Sequence, residues 1–492
     1  MQKHTLSKST FIKGMQCTKA LYLSKHHKEY REQISVSQQA IFTQGTSVGE
    51  LAQQLFPGGV DCTPESYYEF QKAVVRTMEE IKKGTKIIYE AAFQFNGVLA
   101  ALDILVKVKN GWKAYEVKSS TSISETHLLD AAIQYYAISN SGVDLKDISI
   151  VYINNQYVKD GPIDLQQLFN IESVKNEVLE LLPGIPNQVA LLKKVLKQKD
   201  IPVVDIGPHC NSPYTCDFTD HCWKKIPDNS IFNIARLTEV KKFDLYTKNI
   251  VNFIDIPEDY PLNGNQWMQV NGELNNETTI DKKKIKEFVS DLQYPLYFLD
   301  FETFSSAVPL FDKSKPYQQL VFQYSLHILK NNKSAAVHKE FLAEVNGSDP
   351  RVPFVVQLIS DVGDDGDILV YNISFEKSKL AELALAFPKY KNNLNKIIDR
   401  LKDLMVPFQK RWYYTPEMQG SYSIKKVLPA LVPELSYDVL NIQEGGTASN
   451  LFSSMLTGEF VGDITQTRND LLAYCKMDTL AMVELLRKLR QV

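Results

Sequence analysis

Two short patterns of polar residues in this sequence have the spacing that metal chemistry requires. Asp300 and Glu302 lie two residues apart in the apolar stretch 297–303, so in a strand both carboxylates project from one face. Tyr474 and Asp478 lie four apart, which places a phenol and a carboxylate on one face of a helix. Buried carboxylates are costly unless cations compensate them. Together the four residues predict a two-metal site for in-line attack on a phosphate, with the tyrosine hydroxyl positioning the water.

A second candidate cluster lies nearer the N-terminus. Glu116 and Lys118 alternate along one predicted strand and share a face, and Asp103 lies in the strand before it. If the hairpin register brings Asp103 beside them, two carboxylates can hold a hard divalent cation while the ammonium group neutralises charge on a phosphate. The alternative is the solvent face of an amphipathic strand, which the spacing alone favours.

Three cysteines are spaced C-x5-C-x5-C in a polar, proline-containing loop: Cys210, Cys216 and Cys222. Thiolates in a loop suit zinc or an iron–sulfur cluster, and both usually take four ligands. Cys17, far away in sequence, is a candidate for the fourth. The alternatives are that Cys17 is an ordinary buried cysteine and that the loop binds zinc with help from His209 or His221.

The elements that must position these residues fall into two αβ regions. Residues 38–55 and 67–82 have helical periodicity, and three strand-like stretches follow, separated by Asn-Gly turns at 96–97 and 110–111. After a helix and a strand at 148–153, residues 165–200 are predicted to be helical. From 295 the strand signal returns, and helices then dominate to the C-terminus.

Composition places few limits on function. At about 150 residues per domain, 492 residues predict about three domains. The longest apolar runs are too short to span a bilayer, and the N-terminal residues lack the apolar core of a secretory signal. Six cysteines are too few for a disulfide scaffold, so we expect a cytoplasmic protein without a membrane partner. With a formal charge of −3, local patches must hold any nucleic acid.

The C-terminal region, about 295–492, resembles the DEDD exonucleases of the RNase H-like fold, in the subclass with a Tyr-x-x-x-Asp motif. That resemblance implies that four carboxylates bind two Mg²⁺ or Mn²⁺ ions: Asp300, Glu302, Glu376 and Asp478. The middle motif, Tyr371-Asn-Ile-Ser-Phe-Glu376, has glutamate where aspartate is usual. The stretch Gly420-Ser-Tyr-Ser-Ile-Lys-Lys-Val-Leu-Pro429 is similar to the helix start between the second and third motifs of these enzymes.

Residues 1–225 resemble the RecB-like branch of the PD-(D/E)XK nucleases. The resemblance implies that Asp103 and Glu116 are metal ligands, that Lys118 is the catalytic lysine, and that Gln134 is the helix glutamine near the site. The branch usually has a histidine ligand in a Gly-x-x-x-His pattern, where this sequence has Gly45 and Gly49. Either Glu50 compensates or metal binding is weaker.

One N-terminal cysteine followed by three after the nuclease core is similar to the iron–sulfur RecB-like nucleases, which include the CRISPR-adaptation nucleases and exonuclease V. That resemblance implies a [4Fe–4S] cluster held by the four cysteines: Cys17, Cys210, Cys216 and Cys222. Zinc is the alternative metal. Either metal would be structural, because it ties the two ends of the domain together.

The whole chain resembles a bacterial family of uncharacterised proteins that fuse an iron–sulfur RecB-like nuclease to a DEDD-type module. The expected fold is α/β: a PD-(D/E)XK core with an iron–sulfur clasp over 1–226, a connector over 227–292, and an RNase H-like, DnaQ-type mixed sheet flanked by helices over 293–492. Within the connector, 234–257 reads as a degenerate helix-hairpin-helix or a solvated spacer.

The expected function is metal-dependent hydrolysis of phosphodiester bonds in DNA, with a C-terminal site that trims 3′ to 5′. Two alternatives stay open. One is a DEDD exonuclease acting on RNA, because the fold does not fix the sugar. The other is a nucleic-acid-binding protein whose PD-(D/E)XK domain is inactive, because glycine replaces the histidine at Gly49.

Overall fold

A computed structural model describes residues 5–66 and 69–492, and it shows the mixed α/β protein that the sequence predicts. The chain divides into two compact units. One comprises Met1–Lys225 with Ser306–Tyr317, and the other comprises Ile226–Ser305 with Gln318–Val492. Within the described ranges, none of the helices has the length and apolarity needed to cross a bilayer.

The first unit contains a seven-stranded mixed sheet in the order β2-β3-β4-β5-β6-β7, with β1 paired to β4. The predicted meander is confirmed, because β3, β4 and β5 pair antiparallel. The strands are β1 Leu6–Ser7, β2 Val60–Asp61, β3 Ile87–Phe95, β4 Val98–Val108, β5 Gly111–Lys118, β6 Leu145–Ile153 and β7 Phe169–Ser173. The turn between β3 and β4 has positive φ at Asn96 and Gly97, as Asn-Gly hairpins require.

Helices pack on this sheet and lead into the cysteine loop. They are α1 Lys8–Gln16, α2 Thr18–His26, α3 Val36–Gln53, α4 Phe70–Lys83, α5 Glu125–Ser139, α6 Leu165–Leu168, α7 Lys175–Leu181, α8 Ile185–Val195 and α9 Thr219–Trp223. The predicted start of α4 at Tyr67 lies outside the described residues. The all-helical prediction for 165–200 was wrong over Phe169–Ser173, which pairs with β6 at the edge of the sheet.

One large apolar cluster joins the sheet to α1, α5 and α8. Phe93 and Leu102 from the meander pack with Ile133 from α5 and Leu192 from α8, all of them buried. Burial of side chains of this size contributes about 1.5–3 kcal/mol each. This cluster fixes α1 and α5 against the strands that carry the predicted acidic residues.

The second unit contains a five-stranded sheet in the order β11-β10-β9-β12-β13 and a small β14-β8 pair. Strands β9, β10 and β11 are antiparallel, whereas β12 and β13 run parallel to β9. The strands are β8 Thr279–Ile280, β9 Leu296–Phe304, β10 Leu320–Leu329, β11 Val337–Leu342, β12 Ile368–Val370, β13 Leu401–Asp403 and β14 Tyr413–Tyr414.

The helices of the second unit are α10 Glu239–Thr247, α11 Gly264–Asn275, α12 Lys282–Ser290, α13 Arg351–Asp361, α14 Ile373–Ala386, α15 Lys391–Asp399, α16 Val406–Gln409, α17 Ile424–Leu431, α18 Gly445–Thr457 and α19 Ile464–Leu489. Side chains of alternate residues in β9 project from opposite faces of the sheet. Leu299 and Phe301 pack with α13, α14 and α15. On the other face, Phe304 packs with Phe452 of α18. Asp300 and Glu302 therefore project toward the face that α18 and α19 cover.

Residues 227–292, predicted as a connector, lie within the second unit. Their described part does not form two paired helices over 234–257, because α10 is the only α-helix there and single 3-10 turns flank it. The segment is also not a solvated spacer. Ile231, Leu245, Phe253 and Val270 bury an apolar cluster of their own.

Candidate active sites

Three elements of the second unit bring the predicted C-terminal carboxylates together. Strand β9 supplies Asp300 and Glu302, and the first turn of α14 supplies Glu376. Helix α19 supplies Tyr474 and Asp478 from one face. All five residues line a single cavity of about 410 Å³. The structure thus places every C-terminal residue predicted from the sequence around the same space.

The carboxylates in this cavity are buried and repel one another. Burial, together with Asp478 and Glu302, raises the pKa of Asp300 well above its usual value. Burial also raises the pKa of Glu302 to about 8, that of Glu376 to about 8 and that of Asp478 to about 6. Each of these shifts is reversed when a cation binds, because positive charge favours the ionised form.

Two further observations point to a ligand in the cavity. Oxygen Oε2 of Glu376 is buried and has no hydrogen-bond partner anywhere in the described chain. The carboxylate group of Asp300, that of Glu302 and the Cys475 thiol also offer ligand atoms within 4.8 Å of one another. Cys475, next to Tyr474 on α19, is fully buried.

Two residues close to these carboxylates were not among the predicted site residues. The Tyr437 hydroxyl donates a 2.6 Å hydrogen bond to Oδ1 of Asp478. The Lys425 ammonium lies 5.4 Å from the ring centre of Tyr474 and lowers the pKa values of Glu302 and Asp478. Lys425 occurs in the predicted helix-start stretch 420–429, which gave it a location but no role.

Tyr474 can donate a hydrogen bond but cannot act as a base at neutral pH. Burial raises the pKa of its phenol, and the charge of Asp478 raises it further. Gly445, the first residue of α18, lies next to Glu302 and the Tyr474 hydroxyl. A Cβ there would lie 3.5 Å from Glu302 Oε2 and 3.8 Å from the Tyr474 hydroxyl.

In the first unit, the hairpin register brings the predicted N-terminal residues together. Ile104 of β4 pairs with Tyr115 of β5, so the next position along the ladder sets Asp103 opposite Glu116. The Val117 N–H group donates a 2.5 Å hydrogen bond to Oδ2 of Asp103. Burial and the charge of Glu116 raise the pKa of Asp103 to about 8.

Lysine side chains balance the charge of Glu116. Lys118 Nζ donates to Glu116 Oε1 at 2.8 Å and to Oδ2 of Asp130, on α5, at 2.5 Å. Lys8 Nζ, at the start of α1, donates to the same Oε1 atom at 2.7 Å. Burial alone would raise the pKa of Glu116, but Lys118 and Lys8 hold it well below its usual range.

Glu90, on β3, borders the same group of charges. Burial raises its pKa to about 7, against the attraction of Lys8. Asp130, Lys8 and Glu90 were missed by sequence reasoning. Asp130 lies one helical turn before Gln134, so a search of that helix face would have found it. Lys8 carried no comparable signal.

The remaining predicted residues of this site differ in their surroundings. Gln134 is completely buried, and neither of its amide atoms has a hydrogen-bond partner among the residues described. Gly49 lies in α3, where an added Cβ would meet no atom within 4 Å. Glu50, the suggested substitute for the histidine, is exposed.

The four predicted cysteines lie around one small cavity whose wall includes Ala20, Ile206 and Phe218: Cys17, Cys210, Cys216 and Cys222. All four are free thiols. Burial raises the pKa of Cys216 to about 11, and burial also raises that of Cys17. No three of these sulfur atoms lie within 4.8 Å of one another, as judged over the described chain. A tetrahedral zinc site would need sulfur atoms about 3.8 Å apart.

Part of the chain is similar to known sequences. Residues 297–423 match a family described as a domain of unknown function, DUF2779. The chain is 32% identical over 217 residues to the uncharacterized protein MG366 homolog of Mycoplasma pneumoniae, which is 41% of this chain and 33% of that protein. It is also 32% identical over 274 residues to the uncharacterized protein UU173 of Ureaplasma parvum, 51% of this chain and 38% of that protein. The chain thus spans about a third of the length of these relatives, and both are named as uncharacterized proteins.

Proposed function

We propose that the protein is a metal-dependent nuclease with two active sites that hydrolyse phosphodiester bonds of DNA. The observation that carries the proposal is the convergence of four carboxylates from β9, α14 and α19 on one cavity. Buried carboxylates with raised pKa values, one of them holding an unpartnered oxygen, are costly without a cation. In this proposal the second unit has a DEDD-type, RNase H-like fold, and the first has a PD-(D/E)XK fold.

At the C-terminal site, the bound cations and the surrounding side chains would have separate roles. Mg²⁺ or Mn²⁺ ions held by the four carboxylates would supply Lewis-acid activation of water and neutralise phosphate charge. Tyr474, protonated at neutral pH, would donate a hydrogen bond that orients the water. Tyr437 would fix the rotamer of Asp478 through its 2.6 Å hydrogen bond. The 3′-to-5′ direction is inferred from the resemblance to DEDD exonucleases.

At the N-terminal site, Asp103 and Glu116 would hold the cation, and Lys118 would neutralise charge developing on the phosphate. The paired strands β4 and β5 supply the necessary rigidity. Gly49 and the exposed Glu50 favour the alternative that this site binds nucleic acid without cutting it. Activity assays on single-site variants separate the two possibilities.

The main experiment uses the full chain with Mn²⁺ and labelled DNA and RNA of one sequence, with the label at either end. We expect Asp300→Asn to slow end trimming by at least about 10²-fold, because it removes a metal ligand. Asp364→Asn, which changes an exposed carboxylate in the same unit, is the matched control and should cleave normally. Equal rates for Asp300→Asn and the unaltered chain would exclude the C-terminal site. Faster cleavage of RNA would transfer the proposal to RNA.

We also propose that the four cysteines hold a [4Fe–4S] cluster. The support for this proposal is that four free thiols line one small cavity, and four cysteine ligands are the usual set for such a cluster. Protein purified without oxygen should show broad visible absorption and about four iron atoms per chain. Cys216→Ser should lose that absorption. A colourless protein that contains stoichiometric zinc would contradict the cluster and leave the nuclease proposal in place.

A further inference from the structure

Two lysine side chains from distant parts of the sequence bind the same oxygen atom in the N-terminal site. Lys8 and Lys118 donate to Glu116 Oε1 at 2.7 and 2.8 Å, and their side chains are only 27% and 20% exposed. Lys118 has a second partner in Asp130. Lys8 forms no other ion pair within the described ranges, so Glu116 is its principal partner there.

The second oxygen of Glu116 faces a different environment. Oε2 is buried, and nowhere in the described ranges does a hydrogen-bond donor reach it. Asp103 lies opposite on β4, and its Oδ2 atom is already engaged by the Val117 N–H group. One carboxylate oxygen from each residue thus remains for a ligand. This set suits one hard cation with water completing its shell.

Contacts at both ends of helix α1 hold Lys8 in position. Ser7 caps α1, and Lys8 is its first residue. At the other end of the helix, Gln16 donates hydrogen bonds to the carbonyl groups of His209 and Tyr214 in the cysteine loop. Cys17 follows directly. Helix α1 therefore runs from the cysteine loop to Glu116 and fixes the start of the Lys8 side chain.

We propose that Lys8 is a positioning residue of the N-terminal site, which holds Glu116 Oε1 so that Oε2 and Asp103 bind a single divalent cation. Its positive charge takes the place of a second cation. This inference rests on the proposed metal-dependent function of the site. Because Lys8 and Lys118 occupy Oε1 of Glu116, only Oε2 of that carboxylate remains for the ion.

The test uses the full chain with Asp300→Asn and Asp478→Asn, which empty the C-terminal cavity of its cations. Mn²⁺ titration followed by electron paramagnetic resonance should give one bound ion per chain. Adding Lys8→Met should raise the number of bound Mn²⁺ ions from one to two per chain, because the charge that takes the place of the second ion is gone. The same change should slow any remaining cleavage at least about tenfold, because Glu116 is no longer held. Lys8→Arg should restore both values toward the parent.

Lys13→Met is the matched control, since Lys13 lies on the same helix but pairs with Asp217 in the cysteine loop. It should lower the melting temperature and leave one Mn²⁺ ion bound per chain. Two bound ions in the parent, or a single bound ion in Lys8→Met, would overturn the inference, and so would a parent that binds no Mn²⁺. A parent that binds Mn²⁺ but does not cleave would refute only the proposed nuclease activity of this site, because the number of bound ions still tests Lys8.

Discussion

The two candidate sites balance the charge of their proposed glutamate ligands in opposite ways. In the N-terminal site, Lys8 and Lys118 hold the pKa of Glu116 below its usual range. In the C-terminal cavity, the pKa values of Glu302 and Glu376 rise to about 8. Lys425 is the only basic side chain among the described residues that line that cavity.

This difference in charge balance determines how a bound cation would affect the stability of each site. A carboxylate that already has two ammonium partners is stable without a cation, and removing it strands buried positive charge. A carboxylate among other carboxylates is destabilising until a cation arrives. Under the proposed function, Glu116 of the N-terminal site would keep its lysine partners without metal, whereas the C-terminal carboxylates would depend on metal for their charge balance.

The largest expected effect comes from matched neutralisation of one glutamate in each site. Glu302→Gln should slow C-terminal cleavage by about 10²–10³-fold, because a metal ligand is lost. It should also stabilise the metal-free protein by about 1–3 kcal/mol, because repulsion with Asp478 falls. Glu116→Gln should instead destabilise the protein by a similar amount, because Lys8 and Lys118 lose their partner. Thermal unfolding in the presence of a chelator measures the change in stability of each variant, and changes of the same sign would contradict the prediction.

The pH dependence of stability follows the raised pKa values, which occur in both sites, since the folded-state pKa of Asp103 is about 8 and that of Glu90 is about 7. The folded-state pKa of Glu302 and that of Glu376 are about 8, above the usual 4.5, so the folded protein binds more protons than the unfolded chain between those values. Metal-free stability should therefore fall as the pH rises from about 4.5 to about 8, by up to about 1.4 kcal/mol per unit and group. Saturating Mn²⁺ should flatten this slope. Unfolding across pH with and without Mn²⁺ measures it, and a slope that Mn²⁺ leaves intact would contradict the prediction.

Removing the single ammonium group of the C-terminal cavity should have a smaller effect. Lys425→Met should reduce end trimming by about tenfold, a loss typical of one charge-assisted contact. It should also make the free energy of unfolding of the metal-free protein fall more steeply as the pH rises, because Lys425 lowers the pKa values of Glu302 and Asp478. Lys426→Met, one residue along the same helix and bound to Gln419, is the control. Equal rates for the two variants would exclude a role for Lys425.

The smallest effect is a gain at the N-terminal site. Gly49→His should raise Mn²⁺ affinity by about tenfold, because the position has room for a side chain and an added imidazole supplies a ligand. The measurement uses the chain whose C-terminal cavity carries Asp300→Asn and Asp478→Asn. Ala substitution at the same position provides the control for the helix, and equal affinity of the two variants would show that α3 does not reach the cation.

Local sequence signals predicted the elements that have regular spacing. Asn-Gly turns located the β3–β4–β5 meander, and alternation along β9 placed Asp300 and Glu302 on one face. The four-residue spacing of Tyr474 and Asp478 placed both on one side of α19. These predictions held because each depends on a few adjacent residues and on one periodicity.

Contacts between residues that are distant in sequence could not be predicted from these local signals. Lys8 is 108 positions from Glu116, and Tyr437 is 41 positions from Asp478, so no local pattern links them. The strand Phe169–Ser173 was read as helix because its pairing with β6, rather than its own residues, decides its structure. The same cause explains the connector, whose apolar residues become a cluster only when 231–270 folds together.

The segment Ser306–Tyr317 has a practical consequence for dissecting the protein. It follows β9 in sequence, but it belongs to the first unit, where Ala307 and Val308 join an apolar cluster with Val151 and Tyr157. Lys159 also forms a 2.6 Å ion pair with Asp312. Neither unit is a continuous stretch of polypeptide, so a gene truncated after codon 225 would encode a fragment that lacks part of its own interior. Assigning cleavage to one site by expressing halves would test damaged fragments, and point variants of the intact chain avoid that error.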